Sequence, residues 1–470
     1  MRFSSIAVPK LKVVIAGAGP GGLMTAYALL SRSPKYDVEI YESNSDPRLT
    51  PSGPRSYSLG LNIRGQYAIN YFENQQRMTG LWKAISSCGV ASDSFFLHIG
   101  KIKFQIRKPT KLPEATIHNV DDDSDSGPPP TLLIQRNDLC SAMLTELERS
   151  FDQTDRLKIH FDNKLQAVDI QSQVVTLSDS QQVPFDLLIG SDGVQSVVRR
   201  AMMNHSRTGE NNSDGNAFYS EEVLLPGIFK VMVQSTPVNL ENDAVHAMET
   251  SKSKANFSLF LIPAINNRTC VLVSSKLPAS THVSEVSMKE LALPLSEDAT
   301  IDEIKADIAN NFPAFGVPTD DAVNQLLLQR PSEIRTVRCN RYHYSNPSRG
   351  GVLLLGDAAH STGGSLGQGA NSALLDVVAL DQCLDKYNDT DLPSALSLFS
   401  KRQVPEGLAL WQLLQLPPAG VPGALYQLSQ LLWGFLSNFR SLKRMLPQPT
   451  QNLLSQSLTP FTTIVRKVSS

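Results

Sequence analysis

Residues 17–22 read G-A-G-P-G-G, preceded by the apolar run K-V-V-I-A and followed by L-M-T-A-Y-A-L-L. A buried strand, a glycine turn and a helix in that order leave a chain few ways to fold. Gly17 permits a tight turn, Gly19 lets a ligand come close to the backbone, and Gly22 completes the spacing. A second strand pattern over residues 38–41 ends at Glu42. The resulting β-α-β unit predicts an α/β chain in which a pyrophosphate sits on the positive end of the first helix. Glu42 then stands where it can accept hydrogen bonds from an adenosine ribose. The competing reading is a chance glycine turn ahead of a helix.

Two later stretches follow the same logic. Residues 185–199, F-D-L-L-I-G-S-D-G-V-Q-S-V-V-R, give a buried strand, a Ser-Asp-Gly turn and a helix start. Residues 351–355, G-V-L-L-L, lead into G-D-A-A-H-S-T-G-G-S-L-G-Q-G-A-N at 356–371. That stretch is too rich in glycine for a helix interior, where each glycine costs about 1 kcal/mol relative to alanine. Apolar residues flank it on both sides, so it is not a linker either, and its backbone is expected to pass close to a ligand. His360 is expected to pack or hydrogen-bond rather than to move a proton. No H-E-x-x-H, C-x-x-C pair or clustered His and Asp set supports a metal.

The 470 residues carry 43 Lys and Arg against 45 Asp and Glu, a net charge of -2, so no basic field argues for nucleic acid. The five cysteines lie far apart in sequence, which fits a reducing, intracellular compartment, cytoplasmic or at an organelle membrane. Residues 1–10 are too short for a standard signal peptide. Residues 423–439 are apolar but interrupted by Gln, Ser and Asn, with Arg440, Lys443 and Arg444 behind them. They read as an amphipathic segment that either touches a membrane or packs on the main body. Residues 121–130 and 206–216 are polar surface insertions. The runs at 257–263 and 270–275 predict a hairpin in a second sheet. The expected division is a discontinuous nucleotide domain (10–90, 131–218 and 346–390), a substrate-side sheet (91–130 and 219–345) and a helical C-terminal region (391–470).

Taken together, the three glycine-bearing stretches resemble the flavin-dependent aromatic hydroxylases, the single-component FAD monooxygenases. The resemblance implies a Rossmann-like FAD-binding domain of the glutathione-reductase type, an interleaved mixed-sheet substrate domain and helices at the C-terminus. It implies that Gly17, Gly19, Gly22 and Glu42 hold one end of FAD, and that Gly356 and Asp357 meet its ribityl or phosphate region. Arg136 matches a family arginine that contacts FAD; the other reading is a solvated arginine beside a helix cap. Asp192 is read either as a ligand or as a loop brace. Gly367, Gly369, Ala370 and Asn371 would line the flavin ring, with Gly367, Gln368 and Asn371 closest to the chemistry.

The implied activity uses NADPH or NADH and O2 to hydroxylate an electron-rich small molecule through a flavin C4a-hydroperoxide, with no protein partner inferable. The alternatives are an epoxidase of an apolar isoprenoid, and a FAD-binding reductase or non-catalytic protein without oxygenation. Within the family, P-R-S-Y-S-L-G-L-N-I-R-G-Q-Y-A-I at 54–69 resembles the kynurenine 3-monooxygenase branch. It brings in Arg55 and Arg64 as cofactor residues, and G-Q-G-A-N at 367–371 and Asp376 fit the same pattern. Three departures stand out. Gly364 replaces a usual proline, Ala370 replaces a usual methionine, and residues 89–98, G-V-A-S-D-S-F-F-L-H, contain Asp93 and Phe95 where a substrate-carboxylate arginine belongs.

Overall fold

The computed structural model describes residues 10–49, 57–107, 128–208, 217–250, 257–275, 292–296, 298–346, 350–364, 366–415 and 450–469. The first apolar run forms the strand Leu11–Ala16, whose Val13, Val14 and Ile15 are fully buried. It lies inside a six-stranded sheet ordered His343–Asn346, Gly350–Leu354, Leu187–Gly190, Leu11–Ala16, Tyr36–Tyr41 and Leu157–His160. All neighbours are parallel except the first pair. Strands covered on both faces read as continuous apolar runs, and the three central strands Leu11–Ala16, Leu187–Gly190 and Gly350–Leu354 largely do. The helix Pro20–Arg32 is buried from Gly21 to Leu30, which explains why its sequence is apolar all round.

A seven-stranded sheet makes the second layer, ordered Ser332–Cys339, Ser220–Ser235, Arg268–Ser275, Phe257–Ala264, Ala244–Glu249, Ser94–Ile99 and Ile102–Arg107. Only the pair between Ala244–Glu249 and Ser94–Ile99 is parallel. The expected hairpin is present: Phe257–Ala264 and Arg268–Ser275 pair antiparallel, with Asn266 and Asn267 in the left-handed region at the turn. One face of this sheet packs Met232, Leu259, Leu261 and Val271 against the helices Ile301–Asn311 and Asp320–Leu327. A small sheet of Ser58–Leu61, Thr131–Gln135 and Val90–Ser92 lies against the other face, where Leu133 packs with Val245, Ile262, Phe95 and Leu272.

The helix Gly369–Lys386 runs beneath the site and is buried along most of its length. Beyond it come Leu392–Leu414, which accommodates Pro405, and two C-terminal helices, Thr450–Gln456 and Phe461–Ser469. Among the described residues no helix is long and apolar enough to cross a membrane. The apolar segment at 423–439 lies outside the described residues.

Candidate active site

Three adjacent strands end at the same level. Ala16 pairs with Gly190, and Gly190 with Leu354, so the three turns leave the carboxyl edge of the sheet side by side. In parallel α/β sheets that edge is where ligands bind. The first turn is tightly constrained. Gly17 has φ +95, and a Cβ there would lie 2.7 Å from the Ser191 carbonyl oxygen. A Cβ on Gly22 would lie 2.1 Å from the Gly17 carbonyl oxygen. Gly19 caps the following helix with no side-chain hydrogen bond, and Pro20 opens it, so the first-turn amides have no capping side chain.

Glu42 braces this turn from below: Oε2 accepts from the Ala18 amide at 2.8 Å and Oε1 from the Asn44 amide at 2.9 Å. Arg136 begins the helix Arg136–Phe151, and one of its guanidinium nitrogens stands 3.5 Å from where a Gly19 Cβ would be. The groups acting on its charge are Cys140 first, then Tyr57, Glu42 and Asp357, and together they outweigh burial to push its pKa up. A guanidinium held over the uncapped start of a helix makes a site for a pyrophosphate.

In the second turn the Ser191 hydroxyl donates to the Ala16 carbonyl at 2.7 Å. Asp192 Oδ2 accepts from the Val197 amide at 2.6 Å, capping the helix Val197–Thr208, while Oδ1 is buried with no protein partner. Burial pushes this carboxyl above the usual range. Asp192 is therefore a brace through one oxygen and open to a ligand through the other. In the third turn Gly356 has φ +58 and its amide donates to Asp376 Oδ2 at 2.8 Å. Asp357 opens the short helix Asp357–His360 with its side chain exposed in the cleft, and burial of its surroundings raises its pKa against the pull of His360 and Arg136.

The loop that follows carries Gly364 at φ +80 and Gly367 at φ +64, and ends at Gln368, the cap of Gly369–Lys386. No side chain caps this helix at its first-turn amides, Gly369 and Ala370, either, and Asp357 Oδ1 lies 3.5 Å from where a Gly369 Cβ would be. The side chains expected to act there have partners within the protein. Asn371 Oδ1 accepts from the Asn62 amide at 3.1 Å, and its Nδ2 donates to the Gly60 carbonyl at 2.8 Å and to the Gly367 carbonyl at 3.1 Å. Gln368 is buried and accepts from Asn62 Nδ2 at 3.3 Å. Both side chains tie the loop to Gly60 and Asn62, an arrangement that holds the helix start in place.

Arg64 is a correction. It is 1% exposed and donates to the carbonyls of Leu454 at 3.1 Å, Leu453 at 3.3 Å and Thr459 at 2.5 Å, with its guanidinium 4.3 Å from the Phe461 ring centre. Helix C-terminal carbonyls attract a cation, so Arg64 clamps the C-terminal helices instead of touching the glycine turns. Arg55 lies outside the described residues. His360 is the hydrogen-bonding residue expected of it, with Nε2 at 2.6 Å from Asp376 Oδ2. The Arg136, Glu42 and Asp357 side chains converge on one cleft with the glycine turns.

The segment at 89–98 also changes meaning in three dimensions. Phe95 pairs directly with Arg107 across the hairpin, and Arg107 Nε donates to the Asp93 carbonyl at 3.1 Å. An arginine thus stands beside this segment on the neighbouring strand. Burial pushes the Arg107 pKa down, opposed by Asp93. Phe95 and Phe260 lie on the same face, ring centres 6.1 Å apart. No sequence spacing announces this pair, because it depends on a register with a bulge between Phe95 and Phe96.

Parallel strands ending in uncapped glycine turns, with an arginine above them and acids at the rim, define a dinucleotide-type flavin site. Residues 75–389 match the FAD binding domain family, and the chain belongs to that family. It is similar to kynurenine 3-monooxygenase of Sus scrofa, 24% identical over 420 residues that cover 87% of this chain and 76% of that one. It is likewise similar to the Salinispora arenicola kynurenine 3-monooxygenase, 26% identical over 391 residues, 80% of this chain and 73% of that one. In fold it resembles tetrameric 2-methyl-3-hydroxypyridine-5-carboxylic acid oxygenase (TM-score 0.59, 17% identity, 95% and 96% of the two chains). It also resembles Klebsiella pneumoniae HpxO complexed with FAD and uric acid (TM-score 0.57, 16% identity, 98% and 97%). The chain is an FAD-dependent monooxygenase, with FAD as cofactor and a reduced nicotinamide as co-substrate.

Proposed function

We propose that this monooxygenase hydroxylates a small aromatic molecule bearing an anionic group, with Arg107 as the anchor for that group. Arg107 carries the reading: a partly desolvated guanidinium on the strand paired with Phe95, whose ring lies 6.1 Å from that of Phe260 on the sheet face that packs on Leu133, would suit a flat ring with a carboxylate. The isoprenoid epoxidase alternative rested on the absence of an arginine in residues 89–98 and on the amphipathic segment at 423–439; the cross-strand guanidinium weakens the first of these supports.

In this reading Gly17, Gly19, Gly22 and Arg136 hold the pyrophosphate, Glu42 lies by the adenosine ribose, and Asp192, Gly356 and Asp357 meet the polar chain leading to the flavin. FAD held there would supply the redox chemistry between a reduced nicotinamide and O2. The amides of Gly369 and Ala370 place the positive end of a helix where negative charge on the ring develops. Gln368 and Asn371 hold that helix start in place. The division into a nucleotide part, a substrate-side sheet and a helical C-terminal region goes with these roles. Free cysteines at all five positions support a reducing compartment.

The test follows NAD(P)H oxidation by the FAD-loaded protein, in air and anaerobically, with kynurenine and with aromatic acids paired with their methyl esters. Peroxide is measured alongside. Acids should stimulate coupled oxidation at least ~10-fold more than their esters at subsaturating concentration. Equal response to acid and ester would sink the anionic-substrate reading, and oxidation that yields only peroxide would sink hydroxylation.

A further inference from the structure

The helix Gly369–Lys386 has a second side. Away from the glycine turns it walls a partly open pocket of about 450 Å3, bordered by Ile63–Asn74, Leu392–Leu414 and residues 458–461 at the start of the last helix. That size is ample for a small ligand. Besides Tyr67, four ionisable side chains line it, and each has a partner within the protein, His360 through Nε2 while its Nδ1 is buried without one. Arg64 is tied to backbone carbonyls, and Glu406 accepts from the Phe461 amide and the Thr462 hydroxyl at 2.6 Å each. His360 and Asp376 are joined to each other. Beside them the walls offer the hydroxyl of Tyr67, the amides of Gln382 and Gln403, and apolar surface from Val378 and Leu410. Such a lining suits a molecule without formal charge, partly apolar and with hydrogen-bonding groups.

Asp376 joins this cavity to the other side of the helix. It is 2% exposed, and its Oδ2 receives both the Gly356 amide at 2.8 Å and His360 Nε2 at 2.6 Å. Gly356 and Asp357 form the third turn of the cleft. A ligand that moves His360 or Asp376 must therefore move the hydrogen bond that sets this turn. We propose that the cavity is a second binding site, for an uncharged amphipathic small molecule, whose occupancy alters FAD affinity through Asp376. The coupling rests on the flavin reading of the cleft; the site itself does not.

The experiment places a cysteine on each of two facing walls, Ala379→Cys and Gln403→Cys, with Cys88→Ser removing the one native thiol that is not buried. Uncharged monobromobimane is compared with an anionic and a cationic methanethiosulfonate, each rate normalised to that with a free thiol. FAD affinity of the apoprotein is then read by flavin fluorescence before and after labelling. Bimane should react with the folded protein faster than either charged reagent, and the adduct should shift the FAD Kd by about 5-fold or more. Before labelling, both variants should bind FAD like the parent. Reaction only after denaturation, or a preference for a charged reagent, would overturn the site. Labelling that leaves the Kd unchanged would overturn the coupling. If unlabelled protein binds no FAD, the flavin reading and the coupling fail together, while the labelling pattern still decides the site.

Discussion

In the parallel sheet the cleft is built from backbone: three turns at one level, amides at two uncapped helix starts, and glycines where a Cβ would strike a carbonyl. In the seven-stranded sheet the corresponding surface is built from side chains, with Arg107 set against Phe95 by register and Phe260 brought alongside. A backbone site tolerates almost no added atom and accepts a cofactor common to many relatives. A register-built site can exchange side chains across a ladder and so change what it binds without altering the fold.

The sharpest way to break this contrast is Gly22→Ala. The new methyl would lie 2.1 Å from the Gly17 carbonyl oxygen and 2.6 Å from the Ser191 hydroxyl, so the turn must move. FAD affinity should fall by about 100-fold, equivalent to ~3 kcal/mol, in a fluorescence titration of the apoprotein. Near-parental affinity would mean that the turn is not a backbone cradle. Arg107→Met should leave FAD affinity unchanged and raise KM for an anionic substrate by about 30-fold, ~2 kcal/mol. The exchange Phe95→Arg with Arg107→Phe should restore part of that loss if the cation can be carried by either strand. A variant that loses FAD instead would show that the two sheets are not separable.

Asp376→Asn probes the tie beneath the third turn and has a definite pH signature. Burial works against the charged imidazole of His360, but Asp376 outweighs it and the pKa is raised above 6.5. The stability that this pair supplies is therefore complete below the unfolded value of about 6.5 and is lost as pH rises through the higher folded value. Denaturant melts should show the variant less stable than the parent by ~2 kcal/mol at pH 5.5, with the gap narrowing at alkaline pH. A gap that widens with pH would reverse the assignment of charge.

The backbone half of the cleft was legible in the sequence because glycine spacing and apolar runs are local signals. G-A-G-P-G-G, the Ser-Asp-Gly turn and Gly356-Asp357 were each found within one stretch, and the fold aligned them. Side-chain roles were legible only where they stay local. Glu42 and Arg136 stand at the first turn, but Arg64 carries the same local signal and is drawn 390 residues along the chain to the Leu454 carbonyl. Gln368 and Asn371 looked like reacting groups because they sit in the flavin-side loop; their partners are Gly60, on the strand Ser58–Leu61, and Asn62, the cap of the helix Ile63–Asn74, 306 to 311 residues earlier in the chain. Arg107 was missed because its pairing with Phe95 crosses a bulged hairpin, and nothing in the spacing of residues 89–107 fixes that register.

The smallest effect tests whether the flavin-side loop shares the rigidity of the first turn. Gly364, where the family resemblance leads one to expect proline, has φ +80, and no atom lies within 4 Å of where its Cβ would be. Its carbonyl accepts from the Gly367 amide at 3.0 Å. Proline, fixed near φ −65°, cannot take this φ. Gly364→Ala should cost only the left-handed strain of about 1 kcal/mol and leave FAD affinity within roughly 2-fold, since the methyl meets open space. Gly364→Pro should cost more than the alanine, because it must refold the turn. If proline instead tightens FAD binding, the loop is free to adopt a conformation that proline allows, and the distinction between a rigid first turn and an adaptable third one becomes the property to measure.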